Sequence, residues 1–482
     1  MRSSIHHGLL LASLTAPVVS AERVLGAYIY ARHGDRTAKI LGNTQLTDLG
    51  YYEVFAAGSV YHDLYVSSSS DKQIEGISDP IVKASQMNAS APSDAVLQNS
   101  ATGFLQGVYP PAQKAANTTL GNGTVVDSPL NGYQLIQLQT TASSSNSEDS
   151  SWLQGSSDCS KATVSSNNYY ISDSYNEMLK STASFYDSLT PVLNSTFSSS
   201  DISFENAYTI FDYLNVGYIH NSSATFPGKA EYMTDANRVQ LNSLAGVHEW
   251  NLAYNASDPV RAIAGAVILG EILSSFDEIV DTKGAKSILN VQFGSYGTIM
   301  SFFGLMQMPA ASPEFYGIPD YASSMVFELV TNATGNDFPS SDEISVRFAF
   351  HNGTMIGSDE LTVYPMFGQS NDLLSYSEFT TEMEKVAITS TSQWCDMCGN
   401  TDGSCASTSA STSTTSSSST GTSGGISRAV AGVIGAMVTL AVILGLQALF
   451  FLVGGFRIAK RNKGGPEMVA TSNSSVDADK KS

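Results

Sequence analysis

The chain has 482 residues, of which 42% are hydrophobic, and this is enough for two folded domains and a large core. Asp and Glu together number 44 and Lys and Arg together 24, so the formal net charge is −20 at pH 7. A field of this sign repels nucleic acids and anionic membrane surfaces. The charge balance therefore excludes nucleic acid as a partner, and it disfavours densely phosphorylated substrates unless the binding pocket is locally basic.

Both ends of the chain carry apolar segments that predict passage into and across a membrane. Residues 1–21 have the order of a secretory signal peptide, with a basic start, an apolar centre and small residues before Glu22. Residues 426–456 are long and apolar enough for one transmembrane helix, and basic residues open the tail at 457–482. These features predict a single-pass type I protein of the secretory pathway, facing outward at the cell surface or an endomembrane.

The outward-facing part has the features of a secreted glycoprotein. A Ser/Thr-rich stretch at 404–425 cannot bury a core and predicts a glycosylated stalk. Two disulfides are predicted from the four cysteines, Cys159, Cys395, Cys398 and Cys405, because an oxidising compartment disfavours a zinc or redox site. The sequence does not determine which cysteines pair. Eight Asn-X-Ser/Thr sequons are candidate glycosylation sites: Asn88, Asn117, Asn122, Asn194, Asn221, Asn255, Asn332 and Asn352.

The globular part begins with an apolar, β-prone run at 24–31, followed by the sequence RHGDR at 32–36. Ligands of open α/β sheets bind beyond the carboxyl ends of the strands, which is where such a strand places these side chains. Arg32 and Arg36 offer forked donors for phosphate oxygens, and a neutral imidazole at His33 can attack phosphorus. The pattern favours an anion site over an ordinary charged turn.

The sequence RHGDRT at 32–37 resembles the signature of the histidine acid phosphatases, the branch of the histidine phosphatases that includes the phytases. The resemblance implies that His33 is phosphorylated transiently while Arg32 and Arg36 hold the phosphate. In this family a further arginine and a later His-Asp pair complete the site. We expect a small phosphorylated or anionic ligand, and neither a cofactor nor a metal ion.

Two segments after this loop extend the resemblance. Thr47 is the predicted N-cap of a helix that runs to Tyr65. Its apolar residues recur at helical spacing, and those at Leu49 and Tyr52 are expected to face the core. The segment 100–111 resembles the family's next helix, which ends at a double proline.

The family's further arginine has no equivalent in this chain. Its expected position is at or near Ser90, and the sequence contains no arginine between Arg36 and Arg238. Lys83 is an alternative cation for that role, but a lysine ammonium lacks the fork with which arginine grips a phosphate.

The His-Asp pair of the family falls on Ser295 and Tyr296 when its register is projected onto this chain. Serine offers no positive charge, and tyrosine, with an ordinary pKa near 10, is a poor proton donor at acidic or neutral pH. His351 is expected to be a strand-end histidine. His248 and Glu249 lie within a predicted helix and are an alternative acid–base pair.

The fold class that the resemblance implies is α/β, with a doubly wound sheet and an inserted, mainly helical cap domain. The predicted elements after residue 170 are helices at 174–189, 204–213 and 259–276, strands at 288–293 and 346–351, and a tyrosine–alanine–serine strand opening within 319–329. The predicted organisation is a signal peptide at 1–21, an α/β domain at 22–105 and 246–400, a cap at 106–245, a stalk at 404–425, a transmembrane helix at 426–456 and a tail at 457–482.

Two functional hypotheses follow. The first is a membrane-anchored phosphomonoesterase with His33 as nucleophile, Arg32 and Arg36 as phosphate clamp, and a proton supplied by Tyr296, Glu249 or water. The second is a pseudophosphatase that binds an anionic or phosphorylated ligand without turnover. Because loss of a general acid costs roughly 10²–10⁴-fold in rate, and an arginine of the clamp is missing as well, the second hypothesis is favoured over robust turnover of generic substrates.

Overall fold

The computed structural model describes residues 22–141, 158–220, 230–232, 234–357 and 360–406. All of these belong to the first of the chain's two units, Met1–Ser413. Within the described ranges, no helix is both long and apolar enough to cross a bilayer. The predicted signal peptide, transmembrane helix and tail, and the stalk beyond residue 406, lie outside the described residues.

The strands, numbered along the chain, are β1 Arg23–Arg32, β2 Met87–Pro92, β3 Thr118–Thr119, β4 Val125–Val126, β5 Gln139–Thr141, β6 Leu289–Gly294, β7 Ser324–Thr331, β8 Ile344–His351, β9 Thr362–Val363 and β10 Leu373–Ser375. The main sheet has the order β10-β8-β7-β1-β6-β2-β5, with β9 paired to β8, and β3 and β4 form a separate hairpin. β1, β6, β2 and β5 are mutually parallel, whereas β7 and β8 pair antiparallel. The carboxyl ends of four parallel strands therefore share one edge.

β1 lies in the middle of the sheet, and every residue after Arg23 is buried. It pairs in parallel with β6 on one side and antiparallel with β7 on the other. A strand that is covered on both faces needs a continuous apolar sequence, and the run at 24–31 supplies it. The predicted strand is confirmed, and it ends at Arg32.

Helices pack on the sheet and build the region beside it. The helices predicted at 174–189, 204–213 and 259–276 are present with ends shifted by a few residues. The α-helices used below are α1 Asp48–Tyr61, α2 Ala95–Val108, α3 Ser160–Asn167, α4 Asp173–Ser188, α5 Thr190–Leu193, α6 Ala207–Ile219, α7 Asp235–Ala253, α8 Ile263–Asp281, α9 Tyr296–Leu305, α10 Tyr376–Met383 and α11 Thr391–Cys398.

The first helix turns a different face to the core from the one predicted. Leu49 and Tyr52, which were expected to be buried, are 37% and 56% exposed. Gly50 instead lies against the loop after β1, where a Cβ on Gly50 would be 2.0 Å from the carbonyl oxygen of Asp35. A Cβ on Gly34 would be 2.2 Å from the carbonyl oxygen of Gly50. Only glycine allows backbones to approach so closely, and this contact sets the rotation of α1.

A second apolar core lies within the range predicted as the cap. Helices α4, α5, α6 and α7 contribute most of its side chains, and Tyr296 and Met300 of α9 join them. The larger core surrounds the main sheet and its covering helices. One strand of the main sheet, β5, also comes from within the predicted range 106–245 and pairs with β2.

All four cysteines are paired, as predicted. Cys159 at the start of α3 is bonded to Cys398 at the end of α11, and Cys395 is bonded to Cys405. The first bond joins residues that are 239 positions apart, so it closes a long loop and restricts the conformations of the unfolded chain. It ties the segment after the sheet to the first helix beyond β5.

Replacement of Gly50 by alanine tests the contact that orients α1. Alanine is the better helix former by up to about 1 kcal/mol, but its Cβ would overlap the Asp35 carbonyl. We expect Gly50→Ala to lower the free energy of unfolding by about 2 kcal/mol or more, measured by denaturant unfolding. Gly246→Ala in α7 is the matched control, since its Cβ would meet nothing closer than 3.6 Å. A neutral or stabilising Gly50→Ala would contradict the contact.

Candidate functional site

Three chain segments meet at the carboxyl edge of the parallel strands. The register aligns Arg32, the last residue of β1, with the last residue of β6, so His33 and Ser295 leave neighbouring strands. β7 runs in the opposite direction, and its first residue, Ser324, lies at the same edge. The segment Tyr321–Ser323 forms the turn before it, whereas the sequence had predicted that the strand itself opens there.

Backbone hydrogen bonds hold the loop after β1 in place. The Arg32 N–H donates to the carbonyl of Ser323 at 2.8 Å, and the Ala322 N–H donates to the carbonyl of His33 at 2.9 Å. Ala322 has a φ of 59°, which an L-residue rarely adopts, so the surrounding structure determines this turn. The loop and the turn therefore position each other.

His33 is buried, with 0% of its surface exposed. Its Nδ1 lies 2.9 Å from the carbonyl oxygen of Gly34. Because a carbonyl can only accept, Nδ1 carries the hydrogen, and the lone pair of the neutral ring is on Nε2. The ring of Tyr321 lies beside the imidazole, with 5.6 Å between the ring centroids. This is the tautomer that a nucleophilic Nε2 requires.

Arg32 is buried between two aromatic rings. Its guanidinium carbon is 4.7 Å from the ring centroid of Tyr321 and 5.3 Å from that of Tyr296. One terminal nitrogen donates to the carbonyl of Pro319. The rings and this hydrogen bond fix the orientation of the positive charge, since the negative face of an aromatic ring attracts a cation.

Arg36, the second predicted clamp residue, is held by side chains of α6. Its Nη1 lies 3.0 Å from a carboxylate oxygen of Asp212 and also donates to the carbonyl of Thr37 at 3.0 Å. Its Nη2 donates to the hydroxyl of Tyr208 at 3.0 Å. Sequence reasoning missed Tyr208 and Asp212, because no local pattern marks a contact between residues so far apart in the chain.

A third cation at this edge was also missed. The Nζ of Lys39 lies 5.8 Å from the ring centroids of both Tyr208 and Tyr296, which are 4.5 Å from each other. Lys83, the cation that the sequence offered instead, is exposed and precedes β2. It therefore lies at the opposite edge of the sheet from His33, and it does not replace the family's arginine.

Tyr296 and Glu249, the two candidate proton donors, are directly joined. The Tyr296 hydroxyl donates to Glu249 Oε2 at 2.9 Å, and Nδ1 of His248 donates to Glu249 Oε1 at 2.7 Å. Tyr296 opens α9, whereas the other two residues lie in α7. The ring of His248 is enclosed by Tyr169, Tyr170, Tyr175 and Phe204. The three polar residues therefore form one chain, which leads from the ring beside Arg32 into the cap.

His351 takes no part in this chain. It ends β8, which is separated from β1 by β7. Its Nδ1 lies 2.9 Å from the carbonyl oxygen of Glu360 and its Nε2 3.2 Å from that of Thr354. The contacts bind the ring to the following loop, as expected for a strand-end histidine.

A buried pair of carboxyl groups lies behind the loop after β1. Oδ2 of Asp35 accepts hydrogen bonds from Thr47 at 2.5 Å and from His220 at 2.6 Å, and the Asp35 N–H donates to Glu53 at 2.8 Å. Burial is the main cause that raises the pKa of Glu53 to about 7, and the negative charge of Asp35 adds to it. Glu53 was missed because the sequence predicted a different buried face for α1.

Burial also raises the pKa of Tyr321 well above its ordinary value, and the charge of Asp212 acts in the same direction, whereas Arg36 opposes it. The phenol therefore stays protonated, and it donates to Oδ1 of Asp212 at 3.2 Å. Among the described residues, no group of three or more His, Cys, Asp or Glu side chains is arranged to hold a metal ion.

The model of the histidine phosphatase superfamily (branch 2) matches residues 23–351. The chain belongs to this superfamily. A phytase from Citrobacter braakii has a similar structure, with a TM-score of 0.51 at 12% identity over 78% of this chain and 99% of that one. The phytase of Klebsiella sp. ASR1 has the same score and identity over 76% and 95%. No curated protein sequence matches the chain. The family and the α/β fold that the sequence predicted are confirmed, and at this identity the structural similarity concerns the fold alone.

The raised pKa of Glu53 predicts a pH-dependent loss of stability. The folded chain holds this proton up to about pH 7, whereas an ordinary glutamate releases it near 4.5, so the wild type loses stability as the pH rises between these values. Relative to Glu53→Gln, the free energy of unfolding should fall by up to about 3 kcal/mol across this window. Denaturant unfolding at several pH values measures the difference.

Glu384→Gln, which removes an exposed carboxylate at the end of α10, is the control for that series. A difference between wild type and Glu53→Gln that stays constant from pH 4.5 to 7 would show that Glu53 titrates normally in the folded chain.

Proposed function

We propose that this chain is a histidine acid phosphatase-like protein that binds phosphomonoesters at the carboxyl edge of the sheet and hydrolyses them slowly. The observation that carries the proposal is the imidazole of His33, which is buried and held with Nδ1–H on the Gly34 carbonyl. Its Nε2 has the lone pair that attack on phosphorus needs. Arg32, the residue before His33, is held between two aromatic rings and supplies positive charge for the phosphoryl oxygens.

The proposed reaction has two steps. In the first, a bond forms between Nε2 of His33 and phosphorus while the bond from phosphorus to the ester oxygen breaks, and the leaving oxygen takes a proton. In the second, water attacks phosphorus and the bond from phosphorus to Nε2 breaks. One proton of the water returns to the group that protonated the leaving oxygen, inorganic phosphate leaves, and the imidazole is restored. No cofactor or metal ion is needed to balance either step.

The proton for the leaving oxygen is proposed to come from Tyr296. Its hydroxyl donates to Glu249, so the proton points away from the ester until Glu249 itself is protonated. A protonated Glu249 could donate to the phenol oxygen and release the phenol proton toward the ester. Such a relay is slower than a free carboxylic acid, and it favours substrates whose leaving group needs little protonation.

A second candidate function is binding without turnover, and one observation favours it. Arg36, which the family uses as a phosphate clamp, is engaged by Asp212, and Ser295 and Tyr296 stand where the family has a histidine and an aspartate. A site with these replacements can hold an anion while it lacks the groups that complete transfer.

The sequence supports a location for this function. The signal peptide at 1–21 and the apolar segment at 426–456 favour an outward-facing, glycosylated protein with a single membrane span. We propose this location on the sequence alone. Its test is protease protection of the tail at 457–482 in sealed vesicles, together with a shift in mass after enzymatic removal of N-glycans.

Turnover of an aryl phosphate by the full-length protein in detergent tests the enzyme. An aryl leaving group departs without much help, so we expect measurable hydrolysis that is at least about 100-fold faster than that of an alkyl phosphate. His33→Ala should abolish it, and His351→Ala, which lies outside the site, should leave it unchanged. Equal rates for wild type and His33→Ala would indicate a contaminant and exclude the enzyme. Absence of turnover, with phosphate binding that depends on Arg32, would favour the binding protein.

The proposed relay makes a separate prediction. Tyr296→Phe keeps the ring against Arg32 but removes the proton, so the rate with an alkyl phosphate should fall by roughly 10²-fold or more. The rate with an aryl phosphate should fall by less than about 10-fold. Glu249→Gln should show the same contrast between the two substrates. If Tyr296→Phe lowers the rate equally with both substrates, Tyr296 has a role in binding instead.

A further inference from the structure

One helix of the cap engages both terminal nitrogens of Arg36. Tyr208 and Asp212 are four residues apart on α6, so they lie on the same face of the helix. The hydroxyl of Tyr208 accepts from Nη2, and the carboxylate of Asp212 lies 3.0 Å from Nη1. Arg36 and Asp212 are almost completely buried, at 1% and 2% exposed, so this is an internal ion pair and not a surface contact.

Asp212 receives donors on both carboxylate oxygens. Oδ1 accepts from the hydroxyl of Tyr321 at 3.2 Å, and Oδ2 accepts from the backbone N–H of Lys39 at 2.8 Å, in addition to Arg36. Three segments of the chain thus converge on one negative charge, in the way that they would converge on a bound anion.

This arrangement affects any phosphoryl group that enters the site. Both hydrogens of Arg36 Nη1 are already directed, one to the Asp212 carboxylate and one to the Thr37 carbonyl. A phosphate that used this nitrogen would have to displace the carboxylate or the Thr37 carbonyl. A phosphate that did not would still lie near a negative charge in a buried site, where repulsion is strong.

We propose that Asp212 is an internal anion that occupies Arg36, and that it restricts the site to weakly bound, singly phosphorylated ligands. This rests on the proposed function, because it assigns the ligand class of that same pocket. Each additional phosphoryl group would add negative charge to a site whose Arg36 is compensated, in a chain with a net charge of −20.

Removal of the charge on Asp212 tests the proposal. Asp212→Asn keeps the shape and one acceptor oxygen but frees the charge of Arg36, so it should bind inorganic phosphate at least about 10-fold more tightly than the wild type. Isothermal titration calorimetry on the full-length protein in detergent measures both affinities. The gain should disappear in the double variant Arg36→Gln and Asp212→Asn. The affinity for inositol hexakisphosphate, a densely phosphorylated probe, should increase by a larger factor than the affinity for phosphate.

Asp187→Asn is the matched control, since Asp187 is an exposed residue of the same region, on α4, and its loss changes the net charge equally. Tyr208→Phe removes the hydrogen bond at Nη2 and keeps the ring. It serves as a second variant if Asp212→Asn does not fold, and it should give a smaller gain in phosphate affinity.

The possible results separate this inference from the proposed function. If the wild type binds phosphate and a folded Asp212→Asn protein binds it equally or more weakly, Asp212 orients Arg36 and the inference is wrong, while the proposed function stands. If only Asp212→Asn binds, Asp212 excludes anions from Arg36 altogether, and both the proposed function and the assignment of singly phosphorylated ligands to the wild type are wrong. If both proteins fold and neither binds phosphate, the inference is overturned. It is also overturned if Asp212→Asn is unfolded and Tyr208→Phe does not increase the affinity for phosphate.

Discussion

The position of β1 between a parallel and an antiparallel neighbour is the constraint on which the site depends. Its pairing with β6 brings the loop after Arg32 beside Ser295, and its pairing with β7 brings the turn at Tyr321 to the same edge. Each of these segments would be an ordinary surface loop alone. The backbone contact between Gly34 and Gly50 closes the arrangement from the side of α1.

The charges at this edge distinguish the chain from the pattern of its family. Arg32 lies against the ring of Tyr321, whereas Arg36 is paired inside the protein with Asp212. Lys39 adds a positive charge from the loop, but as a point charge without the fork of an arginine. Under the proposed function, His33 is the nucleophile, phosphate affinity is reduced and the proton source is indirect. The proposed slow turnover and weak binding would both follow from these substitutions.

The parts of this account that could be predicted from the sequence are those set by local pattern. The strand β1 and the placement of His33 at its end follow from an apolar run that stops at charged residues. The buried side of α1 could not be predicted, because it depends on which glycine meets another backbone, and Glu53 was missed with it. The contact of Asp212 with Arg36 and the bond of Cys159 to Cys398 join distant residues, and no periodicity in the sequence encodes such a pairing.

The central claim is that Nε2 of His33 receives the phosphoryl group. The most direct measurement is ³¹P NMR of the protein after rapid denaturation during turnover of an aryl phosphate. The account predicts a phosphoramidate signal that is stable to alkali, that corresponds to Nε2-phosphohistidine and that is absent from His33→Ala. A signal from an Nδ1-linked phosphate, from another residue, or equal in the His33→Ala protein would contradict the account.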